Sequence, residues 1–244
     1  YSGPGTGNGF LYSVAPNITP ILISTTSKTY DGTTTAALAA GNYATTGAID
    51  GDTVVLNNPA TGSYVDKHVG AGKNVSATVS IASASNGAVN VYGYGLASAT
   101  ASGNIGTISQ RAITVSSNTG QGKTYGDDDP LAAKIAYSVT TGALAGGDAL
   151  TGNMGRAVGE IVGSYSFTQG TTAVSDGNGG GNYTLTFDGA TNKFAISART
   201  PTASIANQTK VYGADDPSIA GIAVTLGNLV NRTVVDINGT NTSI

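Results

Sequence analysis

Two acidic boxes run into proline, Asp127-Asp128-Asp129-Pro130 and Asp215-Asp216-Pro217. Neighbouring carboxylates supply the hard oxygen ligands that calcium takes, and at a junction between tandem modules such an ion stiffens the array. Calcium is therefore a candidate ligand of Asp127, Asp128, Asp129, Asp215 and Asp216. The plainer alternative is that these aspartates cap turns ahead of proline. Tyr92 and Tyr94, one glycine apart, would share one face of a strand. There they could form a stacking platform for a sugar ring, or pack within a hairpin.

Other chemistries meet specific obstacles. Gly120-Gln121-Gly122-Lys123-Thr124 resembles the end of a phosphate-binding loop, but Ser117 stands where the first glycine is required and no helical pattern follows. His68 is the sole histidine and cysteine is absent, which removes histidine triads, thiolate nucleophiles, disulfides and multi-histidine metal sites. Asp50, Asp52, Asp148 and Glu160 could pair for acid–base work on glycans, yet all four suit turns and no Trp lines a sugar subsite. Asp176-Gly177-Asn178-Gly179-Gly180-Gly181-Asn182 is like a calcium-binding β-roll repeat, but that fold needs tandem copies, so a flexible hairpin loop is expected. No catalytic residue is expected.

The elements that would carry these residues are repeated. Lys28-Thr29-Tyr30-Asp31-Gly32, Lys123-Thr124-Tyr125-Gly126-Asp127 and Lys210-Val211-Tyr212-Gly213-Ala214 are versions of one phrase. A second phrase precedes each of them: Ile18-Thr19-Pro20, Ile108-Ser109-Gln110-Arg111 and Ile196-Ser197-Ala198-Arg199. A period of about 90 residues is too long for a solenoid and suits modules with cores of their own. The phasing divides the chain into a module tail at 1–20, modules at 21–112 and 113–199, and a partial module at 200–244. Because Tyr30, Tyr125 and Tyr212 are equivalent, each ring is expected to pack at a module edge with its hydroxyl bonded to backbone.

Apolar and small polar residues alternate over 53–56, 75–81, 113–115, 164–168, 183–187 and 193–197, which is the period of strands buried on one face. Asp50-Gly51-Asp52, Asn57-Asn58-Pro59 and Gly70-Ala71-Gly72 supply turns. Helix is limited to short turns near 130–135 or 147–150. The fold class that follows is all-β: tandem small antiparallel sandwich-like modules, immunoglobulin-like or grasp-like, in an elongated array.

Only 10% of residues are charged, net charge is −3, and the cations are scattered, so nucleic acid and anionic membranes are not expected partners. No run of 18 apolar residues spans a membrane. Lacking a starting Met and a leader, the sequence reads as an internal fragment of an exported chain.

The first module, through Lys28-Thr29-Tyr30-Asp31-Gly32-Thr33-Thr34, Ile49-Asp50-Gly51-Asp52 and Asp66-Lys67-His68-Val69-Gly70, resembles the YDG repeat of large bacterial surface adhesins. The second resembles the mostly-β glycine-rich (MBG) repeat that accompanies it, through Lys123-Thr124-Tyr125-Gly126-Asp127-Asp128-Asp129-Pro130, Gly147-Asp148-Ala149-Leu150, Arg156, Gly159, Gly163-Ser164-Tyr165 and Asn182-Tyr183-Thr184-Leu185. The resemblance implies haemagglutinin-like exoproteins and biofilm adhesins on the bacterial surface, with stalk and spacer roles and no catalytic residues. The expected partners are neighbouring modules of one long chain. Binding of an extracellular glycan or protein, and assembly into a fibre by strand complementation between partial modules, stand as alternatives.

Overall fold

A computed structural model describes residues 15–244, so most of the expected module tail lies outside the described residues. Nearly all the regular structure of the described residues is strand, with single 3-10 turns at Ala40–Asn42, Ala132–Lys134 and Ile219–Gly221. It forms two compact units. The first comprises the described residues up to Arg111 together with Ala145–Asp148 and Asp176–Thr184. The second comprises Ala112–Leu144, Ala149–Ser175 and Leu185–Ile244.

In the first unit, Asn17–Leu22 turns Ile18, Pro20 and Leu22 inward, and it runs parallel to Gly95–Leu96 and Thr100–Ser109 and antiparallel to Tyr43–Thr46. The expected boundary after residue 20 therefore falls inside a strand. Thr26–Thr29 also lies parallel to Thr100–Ser109, whose other neighbour is the antiparallel Gly70–Thr78. Thr61–Tyr64 and Thr35–Ala37 complete that sheet, and Thr53–Leu56, Ile81–Asn86 and Val89–Asn90 form another. Ile18, Tyr30, Val75, Ala101 and Ile108 are buried at the centre. The run 75–81, expected as one strand, breaks at Val79-Ser80, where the chain changes sheets. Those two residues bond instead to Ala99 and Asn57.

In the second unit, Gly122–Thr124, Lys193–Ser197, Gly163–Thr168 and Gly155–Arg156 make one sheet; Tyr137–Thr141, Arg111–Ser117 and Tyr183–Asp188 make another, whose residues Arg111, Tyr183 and Thr184 count with the first unit. Phe167 and Phe194 meet edge to face, 6.1 Å between centroids. Residues 200–244 contribute two isolated strand pairs, Thr202–Ile205 with Val224–Gly227 and Thr233–Val235 with Asn241–Ser243.

Both units are all-β, mostly antiparallel, and both close with the same parallel device. The strand that leads into the motif tyrosine lies parallel to the strand carrying Ile-Ser. Lys28 is opposite Ile108 and Thr29 opposite Ser109; Lys123 is opposite Ile196 and Thr124 opposite Ser197. The tyrosine amides donate to the serine carbonyls, Tyr30 to Ser109 at 2.9 Å and Tyr125 to Ser197 at 2.8 Å. The serine hydroxyls donate back to Lys28 and Lys123 carbonyls. Two residues on, Arg111 and Arg199 donate to the carbonyls of Tyr30 and Tyr125. The two repeated phrases are thus the two sides of one seam.

The motif tyrosines do not share one environment. Tyr30 is fully buried and its hydroxyl has no hydrogen-bond partner, Tyr125 is half-buried, and Tyr212 is wholly exposed. The expected hydroxyl-to-backbone bond is absent at Tyr30 because the ring is driven into the core beside Tyr183, 5.5 Å away edge to face.

Candidate functional site

The second unit encloses a four-residue ionic cluster. Lys123 on Gly122–Thr124 and Arg156 at the end of Gly155–Arg156 converge on Asp129 and Glu160. Arg156 grips Asp129 with two nitrogens, Nε to Oδ2 at 2.6 Å and Nη2 to Oδ1 at 3.0 Å, and its Nη2 also reaches Glu160. Lys123 bonds Asp129 at 2.7 Å and also contacts Glu160. Side-chain exposure is 0% for Arg156, 1% for Asp129, 3% for Lys123 and 5% for Glu160. Arg156 Nη1 donates to the carbonyls of Ala157 and Gly159, and the guanidinium lies 5.2 Å from the Tyr165 ring and 5.0 Å from Phe194. Cations and anions are equal in number, so the cluster is neutral and its fork of donors is filled.

Burial pushes the Asp129 carboxyl upward, but Arg156 and Lys123 outweigh it and hold the group below the usual carboxylate range. Burial likewise opposes the Arg156 charge, and Asp129 with Glu160 reverses that. A depressed carboxylate contributes stability that is present above its unfolded value of 3.8 and is lost as pH falls through the folded value. Acid unfolding of residues 113–199, followed by amide exchange, is therefore expected to set in below about pH 4. Asp129→Asn should flatten that dependence while lowering stability at neutral pH.

The acidic box also holds the start of the third repeat. The Asp129 amide donates to the Val235 carbonyl at 2.9 Å, while Asp129 Oδ2 accepts from the Ile237 amide at 2.9 Å. Asp128 accepts from the Val235 amide at 2.9 Å and from Arg232 at 2.8 Å, and Asn238 donates to the Arg156 carbonyl at 3.0 Å. Asp127 pairs with Arg199. The carboxylates expected to bind calcium are thus engaged by lysine, arginine and backbone amides. Asp215 and Asp216 are exposed, with Asp216 paired to Lys210. Among the described residues, no group of three or more acidic or histidine side chains is placed to hold a metal ion.

Residues 15–101 match the family model of the YDG domain, and residues 113–193 match that of the MBG domain, YGX type. The chain joins a YDG domain to an MBG domain. No curated protein and no solved structure matches it. This pair of domains fits a bacterial surface adhesin-like module.

The two motif names mark a physical difference. In the YDG domain the left-handed residue after the tyrosine is Gly32 at φ +80°, two positions on; in the MBG domain it is Gly126 at φ +92°, one position on. Asp31 fills the intervening place in YDG, where it accepts from Lys28 at 2.8 Å and from the Thr33 amide at 2.8 Å. In each copy the motif lysine meets an aspartate downstream: Asp31, Asp129 or Asp216.

Within the YDG domain, Tyr92 and Tyr94 lie in the coil between Val89–Asn90 and Gly95–Leu96, not on a strand face. Gly93 between them, at φ +101°, breaks the alternation. Tyr92 is exposed beside a groove of about 330 Å³ lined by Ile81, Ser83, Asn90 and Tyr94. The Tyr94 hydroxyl is occupied by Asp52 at 2.7 Å and by the Ile49 amide at 3.0 Å. His68 Nδ1 lies 3.1 Å from Asn182 Nδ2. The run 176–182, expected as a flexible hairpin loop, is tightly bonded instead. The buried Asp176 carboxylate accepts from the amides of Asn178, Gly180 and Asn182, and the fully buried Asn182 accepts from the Val69 amide. Of the four carboxylates considered for glycan hydrolysis, Asp52 is bonded to Tyr94, Asp148 to Tyr183, and Glu160 to Arg156 and Lys123.

Sequence reading missed Arg156 as the hub of the cluster. The signal that could have found it is scarcity: where charges are so few, an Arg-x-x-x-Glu pair inside a β-repeat needs a buried partner.

Proposed function

We propose that this YDG–MBG chain is a non-catalytic spacer segment of a secreted bacterial surface adhesin, transmitting tension along a fibre outside the cell. The observation that carries this reading is the parallel seam. In the YDG domain the entering strands Asn17–Leu22 and Thr26–Thr29 lie parallel to the departing Thr100–Ser109. In the MBG domain Gly122–Thr124 lies parallel to Lys193–Ser197. Pulling the ends of a domain apart then slides adjacent parallel strands past each other, so their evenly spaced hydrogen bonds are strained together rather than one after another. The ionic cluster and the Asp128-Asp129 contacts with Val235 and Ile237 extend that continuity into the third repeat.

Single-molecule pulling tests it, because forced unfolding reads the unfolding barrier. Handles at the chain ends should give discrete ruptures at much higher force than handles on Asn57→Cys and Ala82→Cys. Those two positions unzip the antiparallel pair Thr53–Leu56 and Ile81–Asn86 from one end. Featureless extension from the chain ends, or equal forces in the two geometries, would overturn the spacer reading. A second reading, a glycan-binding module, rests on the exposed Tyr92 beside its groove. It requires that Tyr92→Ala abolish retention on a glycan array.

A further inference from the structure

The loop that joins Gly155–Arg156 to Gly163–Thr168 is turned inside out. Its aliphatic side chains, Val158, Ile161 and Val162, are exposed, while Glu160 among them is buried. Gly159, at φ +143°, permits this, since a Cβ there would sit 2.3 Å from the Tyr165 ring. Arg156 holds the carbonyls of Ala157 and Gly159, and the Tyr165 hydroxyl donates to the Ile161 carbonyl at 2.8 Å. Packing alone favours the opposite arrangement, because burying valine and isoleucine is favourable and burying a carboxylate is costly.

What the inversion achieves is contact between the Glu160 carboxyl and the Lys123 amine in a site sealed from solvent. Lys123 Nζ touches Glu160 Oε2, and Asp129 Oδ1 lies 2.7 Å from the same nitrogen. Arg156 Nη2 holds the other Glu160 oxygen, Oε1. Asp129 has holds of its own besides Lys123: Arg156 Nε and the Ile237 amide both reach its Oδ2. The lysine pairs of the YDG domain differ in exposure. Asp31 beside Lys28 and Asp66 beside Lys73 keep 45% and 46% of their side chains in solvent, against 5% for Glu160.

We propose that Lys123 and Glu160 condense into an amide, an intramolecular cross-link that the folded MBG domain forms from its own side chains. The Lys123 nitrogen bonds to Glu160 Cδ, and the Cδ–Oε2 bond breaks. Of the three ammonium protons one stays on the amide nitrogen, and Asp129 relays the other two to Oε2, which departs as water. An ammonium and a carboxylate thus give an amide and water, with no further reactant. Arg156 Nη2 faces the oxygen on which negative charge gathers as the carbon becomes tetrahedral. Fixed contact between amine and carboxyl replaces a chance encounter, and the product is relieved of two buried charges. Asp129 and Arg156 remain as a neutral, doubly bonded pair. The cross-link ties Gly122–Thr124 to the loop before Gly163–Thr168, so residues 124–159 leave the covalent path along which tension runs. Its detection does not depend on the spacer role.

The test is the intact mass of the purified, folded chain, followed by tandem mass spectrometry of its protease digest. The chain should weigh one water less than its sequence, with the loss confined to a branched peptide that joins Lys123 to Glu160. Lys123→Arg keeps the charge but offers no amine nucleophile, and should weigh what its own sequence dictates. A wild-type chain of full mass overturns the proposal. So does a missing water that digestion places elsewhere, at an imide such as Asp50-Gly51 or between Lys123 and Asp129, or one that Lys123→Arg retains. The wild-type masses decide the matter even if Lys123→Arg fails to fold.

Discussion

Arg156→Met is expected to destabilise the MBG domain by about 3–5 kcal/mol, the largest loss of any single charge in this chain. The substitution keeps a side chain of similar length but removes the guanidinium and with it the cation–π contacts with Phe194 and Tyr165, so the loss reports the charged head group. What remains is Lys123 facing two buried carboxylates, Asp129 and Glu160, an uncompensated negative charge where water does not reach. Chemical denaturation read by amide exchange is the measurement. Opening of Gly163–Thr168 should need less free energy, while Gly70–Thr78 in the YDG domain stays as it was. Replacing the whole cluster by apolar side chains of similar volume should restore much of the loss, because a sealed ion pair is itself only weakly stabilising.

Tyr30→Ala should cost the YDG domain about 3–5 kcal/mol, and Tyr30→Phe almost nothing or a gain of up to about 1 kcal/mol. The first removes a fully buried ring from its edge contact with Tyr183 and leaves a cavity. The second removes only a hydroxyl that has no hydrogen-bond partner. Burial pushes that hydroxyl up to about 12 from 10.0, and the nearby Asp148 carboxylate adds to the shift by opposing ionisation. A raised acid contributes stability that is complete below its unfolded value and is lost as pH climbs through the folded one. The wild-type chain should therefore lose stability relative to Tyr30→Phe between pH 10 and 12, measured by urea midpoints across that range. A Phe variant as damaged as the Ala variant would mean that the hydroxyl is bonded after all.

Alternation made the strands legible: 53–56 and 193–197 coincide with Thr53–Leu56 and Lys193–Ser197. Repetition made the modules legible, and both domain families with them. Periodicity fixes which face a residue takes but not its neighbour strand, so the parallel seam was invisible even though both of its sides were noticed as repeated phrases. For the same reason equal motif position did not give equal burial. Tyr30, Tyr125 and Tyr212 differ because burial depends on what lies over the ring: Tyr183 covers Tyr30, whereas Tyr212 stands in solvent. The acidic box was visible as an unusual cluster, but its partners Lys123, Arg156, Arg232 and the amides of Val235 and Ile237 are contributed from distant segments. Ligand and counter-ion look alike until those are located.

The YDG domain does not end where its sequence repeat ends. Tyr183 covers Tyr30, Asn182 caps the Val69 amide, and the Tyr183 hydroxyl is bonded to Asp148 and to the Ala145 amide, all within the first compact unit. Those covering residues are encoded in the stretch of gene that specifies the next repeat. A cut at residue 112 would part the fold from its own lid, so residues 15–111 alone should leave Tyr30 uncovered.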